Sequence, residues 1–123
     1  MSKTILAVDD SSSVRQLVRM TLAGAGYEVI EAGDGREALA KAQSARAVHA
    51  VVTDVNMPQM NGIELVAALR KLAAFNGIPI VCLTTESDEG VKQQARAAGA
   101  SGWIMKPFRP EQLLAVVKKV LGG

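Results

Sequence analysis

Short apolar runs alternate along this chain with longer stretches in which apolar residues recur every three or four positions. The short runs are Ile5–Val8, Val29–Ala32, Ala50–Thr53, Ile80–Leu83 and Trp103–Met105, and they predict five strands. The first, third and fourth are continuous apolar runs rather than alternating patterns, which suits a sheet covered on both faces. Between the runs, Val14, Leu17, Val18 and Leu22 stand at helical spacing, as do Leu65, Val66, Leu69 and Leu72. Leu113, Val116, Val117, Val120 and Leu121 repeat the pattern at the end, and weaker Ala-rich versions cover Arg36–Ser44 and Glu89–Ala98. Five helices are therefore expected, one after each strand.

The punctuation fits. Ser12 or Ser13 can cap the first helix, and Gly24 and Gly26 can end it. Asp34-Gly35, Asn61-Gly62 and Asn76-Gly77 read as turns, and Gly99 as the close of the fourth helix. A (βα)5 alternation with short connections demands parallel strands and right-handed crossovers, hence a doubly wound α/β sheet. Residues 1–123 are expected to form one domain, with no room after the fifth helix for an output domain.

Composition narrows the function more than it names one. Of 123 residues 49% are apolar but only 3% aromatic, so the core must be built from aliphatic side chains and Met. A net charge of +2 without a Lys/Arg run gives no footprint for nucleic acid. Cys82 is the single cysteine, which excludes an internal disulfide and suits a reducing compartment. No signal-peptide pattern opens the chain and no apolar run is long enough to cross a membrane, so a cytoplasmic protein is expected.

In a sheet of this kind ligands collect beyond the carboxyl ends of the strands. Those ends carry Asp9-Asp10, Asp54, Thr84-Thr85 and Lys106-Pro107. Each piece has an ordinary reading by itself: Asp9-Asp10 as a helix cap, Asp54 as a solvated acid, the threonines as strand-end residues, Lys106 as a surface cation. Together, and in this order, they converge three carboxylates, two hydroxyls and an ammonium on one edge. Two carboxylates about 5 Å apart repel by roughly 3 kcal/mol at an effective dielectric near 20. Three of them must bind a cation, share a proton or stand apart. Mg²⁺ suits such a site, because it takes oxygen ligands and commonly joins one or two carboxylates to phosphate. Lys106 and Thr84 could then meet phosphoryl oxygens, and positioning with charge neutralisation is most of what phosphoryl transfer needs.

Two other chemistries fit the same residues less well. A phosphohydrolase with an Asp nucleophile would want a second acid at the position of Asn56, whose amide cannot shuttle a proton. A flavin mononucleotide carrier would want a Ser/Thr/Gly phosphate loop after the first strand, where two acids stand instead. His49 has no second ligand and reads as a surface residue, and Cys82 reads as a core thiol.

The segments Val8-Asp9-Asp10, Asp54 to Gly62, Leu83-Thr84-Thr85-Glu86 and Gly99 to Phe108 resemble the receiver domain of two-component response regulators, most of all the stand-alone chemotaxis regulators within that family. The likeness covers the whole chain. It implies a flavodoxin-like sheet in the order 2-1-3-4-5 and a phosphoacceptor at Asp54, loaded from a phosphohistidine on a histidine kinase of the CheA kind. It implies that Asp10, Asp54 and the backbone carbonyl of Asn56 bind Mg²⁺ directly, with Asp9 acting through water. It also implies that Thr84, Thr85, Lys106 and Trp103 form the phosphate-contacting and switch set, with Thr84 as the switch hydroxyl and Lys106 as the phosphate-contacting cation, and that Pro107 follows a cis bond. Such a protein catalyses only its own phosphorylation and dephosphorylation, is expected to be a monomer, and would answer to a flagellar motor switch protein or a phosphatase. Trp103 departs from the family, which usually carries Tyr or Phe as its rotating aromatic.

Overall fold

A computed structural model describes residues 3–122 except 46, 58–59 and 86–88. Five strands are present: β1 (Thr4–Val8), β2 (Glu28–Ala32), β3 (Ala50–Asp54), β4 (Ile80–Thr84) and β5 (Gly102–Met105). All neighbouring pairs are parallel and the order is β2-β1-β3-β4-β5, as expected. Each strand runs a residue beyond or before its apolar run, because the backbone ladder continues through Thr4, Glu28, Asp54, Thr84 and Gly102 whatever their side chains.

Among the described residues the helices are α1 (Ser12–Gly24), α2 (Gly35–Ser44), α3 (Gly62–Arg70), α4 (Glu89–Ala98) and α5 (Pro110–Val120), with a 3-10 turn over Ala73–Phe75. The pleat sends alternate strand residues to opposite faces and builds two cores. Leu6, Val8, Val51, Ile80 and Cys82 pack beneath α2, α3 and α4, with Leu65, Val66, Leu69 and Ala95. Ile5, Ala7, Ala50, Val52, Val81, Leu83 and Ile104 pack beneath α1 and α5, with Val18, Leu22, Leu113 and Val117. The paired cores explain why three strands carry no polar alternation.

Helix starts correct several local expectations. Ser11, not Ser12 or Ser13, caps α1: it is the residue with extended backbone, and its Oγ accepts from the Val14 N–H at 3.3 Å. Asp34-Gly35 and Asn61-Gly62 are not free-standing turns. Asp34 caps α2, and Asn61 forms a capping box with Glu64 at the start of α3. Gly77 (φ +83°) and Gly99 (φ +118°) do adopt the left-handed conformation expected of a turn and a helix end. Leu17 keeps 40% of its surface exposed on α1, and Leu72 falls beyond α3. His49 is half-buried rather than superficial: its Nδ1 accepts the Thr4 N–H at 2.9 Å and so finishes the first strand's hydrogen bonding.

Candidate functional site

From β1 the chain runs outward to β2 and then crosses to β3, so the carboxyl ends of β1 and β3 flank a crevice where the winding reverses. Asp9 follows β1 and Asp54 ends β3. Both are buried, whereas Asp10 is exposed. Ligand oxygens of Asp9, Asp10 and Asp54 all lie within 4.8 Å of one another. Lys106 reaches in from the end of β5, its side chain only 16% exposed, to 3.0 Å from Asp9 Oδ2 and 3.2 Å from Asp54 Oδ1.

The local chain fixes these groups. The Asp9 N–H donates to the Ala32 carbonyl at 3.1 Å, and Asp9 Oδ1 accepts from the Ser11 N–H at 2.9 Å. Asp54 Oδ1 accepts from the Asn56 N–H at 3.3 Å. The β3–α3 connection folds back so tightly that a Cβ on Gly62 would stand 2.1 Å from the Asp54 carbonyl oxygen. Glycine is thus required at Gly62 for reasons of space, and the Asn-Gly pair showed only that something turned there. The peptide between Lys106 and Pro107 is cis.

Charge in the cluster does not balance. Among the described residues three carboxylates face one ammonium, which leaves a formal charge of −2. Burial, and then the charge of Asp9, hold the Asp54 carboxyl above its usual range despite Lys106 and the Asn56 N–H. Burial works against the Lys106 ammonium, but the hydrogen bond and charge of Asp9, followed by those of Asp54, keep its pKa raised. An all-oxygen donor set short of two positive charges fits a hard divalent cation.

Thr84 is buried at the end of β4, and Thr85 is exposed beside Val14, Leu17, Pro107 and Phe108 around a cavity of about 230 Å³. The two neighbouring hydroxyls therefore occupy different environments. Asn56 is exposed in the loop after Asp54. Trp103 pairs with Cys82, which pairs with Thr53, so the indole sits two strands from that of Asp54 and three from that of Asp9 and Asp10. It is half-buried against the α2–α3–α4 core, with Arg96 at 5.0 Å and Lys92 at 5.4 Å from its ring centroid. Cys82 is a buried core thiol, as expected, pushed up to about 11 by burial and by Asp54. Pro58, Gln59 and Glu86 of the resembling segments lie outside the described residues.

The family model of the response regulator receiver domain matches residues 5–118. The chain belongs to that family. Among relatives of this receiver domain is the chemotaxis protein CheY1 of Helicobacter pylori, 41% identical over 119 residues and matched over 96% of both chains. A CheY homolog of Campylobacter jejuni is 39% identical, over 96% of this receiver domain and 92% of its own length. In structure, the receiver domain superposes on the chemotaxis protein CheY4 of Vibrio cholerae with a TM-score of 0.94 and 52% identity, covering 98% of this chain and 99% of that one. No helix among the described residues is long and apolar enough to cross a membrane.

Proposed function

We propose that this chain is a stand-alone phosphoacceptor regulator of a two-component system, loaded on Asp54 and working in chemotaxis and flagellar motor control. The observation that carries the reading is the buried Asp54 carboxylate held between Asp9 and Lys106 in an undercharged acid cluster. The names of relatives matched along nearly their whole length support the chemotactic setting and a single receiver domain over residues 1–123. In the same reading the protein is a cytoplasmic monomer that exchanges signals with a CheA-like histidine kinase and with a motor switch protein or phosphatase.

In this reading an Asp54 carboxylate oxygen attacks the phosphorus of a kinase phosphohistidine. The phosphorus–nitrogen bond breaks, imidazole leaves, and an acyl phosphate remains on Asp54. Asp9, Asp10, Asp54 and the Asn56 carbonyl would hold Mg²⁺, which when bound offsets the carboxylate and phosphoryl charge. The Lys106 ammonium turns from the carboxylates to a phosphoryl oxygen, a contact that compensates the incoming charge without a new buried cation. The buried Thr84 hydroxyl meets another phosphoryl oxygen. That contact is made only in the loaded state, so it can bias a conformational equilibrium. Trp103 then moves inward and the surface of α4, β5 and α5 is presented differently, with Thr85 at its margin. The chain catalyses nothing beyond its own phosphorylation and dephosphorylation.

Incubation with acetyl phosphate and Mg²⁺, followed by intact-mass measurement, tests the assignment. The wild type should gain one phosphoryl group and Asp54→Asn should gain none. An Asp54→Asn variant phosphorylated at the wild-type rate would overturn it.

A further inference from the structure

The turn between β1 and α1 is held by a side chain that the phosphoacceptor reading leaves without a task. Arg15, in the second turn of α1, points back toward the helix start, and its Nη1 donates to the Asp9 backbone carbonyl at 2.7 Å. Its Nε lies 3.3 Å from Glu31 Oε1 on β2, and Arg19 Nε holds the other Glu31 oxygen at the same distance. The Glu31 carboxylate is therefore forked between two guanidinium groups, and one of them is passed on to Asp9.

The choice of acceptor matters. Arg15 binds the carbonyl of Asp9 rather than its carboxylate, so it leaves the acid oxygens of the cluster to a cation, unlike Lys106. The Asp9 carbonyl belongs to the same rigid peptide plane as the Asp10 N–H. The near side of the turn is already fixed, since the Asp9 N–H is bound to Ala32. With the carbonyl fixed as well, the orientation of the plane from which Asp10 projects is set. Asp10 is the exposed member of the cluster and has the most freedom to lose.

We propose that Arg15, anchored by Glu31, is a positioning residue that orients the Asp9–Asp10 peptide and so presents the Asp10 carboxylate to the divalent cation. The proposal rests on the metal-dependent reading of the acid cluster. Groups that orient a ligand without touching the ion change metal affinity by about 10–100-fold when removed.

The test is a double-mutant cycle on Mg²⁺ binding, followed by titration calorimetry on the unphosphorylated protein, with urea unfolding of each variant in EDTA. Arg15→Ala should weaken Mg²⁺ binding about 10-fold in the wild-type background but less than about twofold in the Asp10→Asn background, since the effect passes through Asp10. Arg15→Lys keeps one donor and loses the fork, and should restore part of the affinity. Glu31→Gln removes only the anchor and should weaken binding less than Arg15→Ala, which supplies a second variant should Arg15→Ala fold poorly. Ser11→Ala loosens the same helix end without touching the Asp9 carbonyl and should alter stability more than affinity. Equal losses from Arg15→Ala in both backgrounds, or an equal loss from Ser11→Ala, would overturn the assignment. A wild type that binds no Mg²⁺ would overturn the metal reading and this proposal with it. Wild-type binding with an unchanged Arg15→Ala would overturn this proposal alone.

Discussion

Helices α1 and α4 follow the strands that lead to the site's two sides, yet they are held in different ways. The first is capped by Ser11, buries Val18 and Leu22, and is tied through Arg15 to both Asp9 and β2. In α4 the buried residue is Ala95, and Lys92 and Arg96 lie over the face of Trp103. Burying apolar area stabilises by about 25 cal/mol per Å², so the small side chain of Ala95 contributes little to the hold on the sheet. Cation–π contacts add about 0.5–1 kcal/mol each at exposed sites. The side that gathers carboxylates is thus tied by larger buried side chains and ion pairs than α4, which on the proposed reading carries the output surface. Elements that move in switching come from weakly held parts of a structure.

The contrast is open to direct attack. The largest effect should come from the core: Leu22→Ala should cost about 2–5 kcal/mol, and Val91→Ala on half-buried α4 less than about 1 kcal/mol, in urea unfolding. Similar losses from the two would remove the asymmetry.

The second effect is electrostatic. Because burial raises the folded-state pKa of Asp54 above its unfolded value, the folded protein binds the Asp54 proton more tightly. This group's contribution to stability therefore falls as pH rises through the window from 3.8 to its raised pKa. Without Mg²⁺, Asp54→Asn should be more stable than the wild type at neutral pH, and the advantage should vanish as pH falls below that window. Urea unfolding across pH in EDTA measures it, and a constant difference between the two proteins would contradict it.

The smallest effect concerns the loose side. Thr84→Ala should leave Asp54 phosphorylatable while weakening the fluorescence response of Trp103 and the change in amide exchange across α4 and β5. A single hydrogen bond is worth about 1 kcal/mol, enough to reduce a two-state response several-fold. A fully phosphorylated Thr84→Ala protein with the complete wild-type change would sink the switch.

How much of this could be read from the sequence depended on range. The five strands and the convergence of Asp9, Asp10, Asp54 and Lys106 follow from apolar periodicity and parallel winding, and all were legible. Which of three successive serines caps α1 depends on where the backbone leaves the extended region, and periodicity does not report that. Asp34 and Asn61 looked like turn residues because turns and helix caps draw on the same short polar side chains. His49 gives no sign of its role in the sequence because its partner, Thr4, lies 45 residues away. Arg15 and the cations over Trp103 went unread for a similar reason, since a surface arginine on a helix has no signature until its acceptor is known.

Cys82 gives the molecule a clock. It is the single thiol, fully shielded on β4 between Asp54's strand and Trp103's, and burial leaves almost none of it as thiolate at neutral pH. A disulfide reagent cannot reach it through fraying of a helix end; β4 itself must be uncovered. Cys82 packs beneath α3 and α4, so its labelling rate counts openings that lift these helices from β4, while on the proposed switch the fluorescence of its cross-strand neighbour follows the output surface. One unmodified polypeptide reports both, on separate channels.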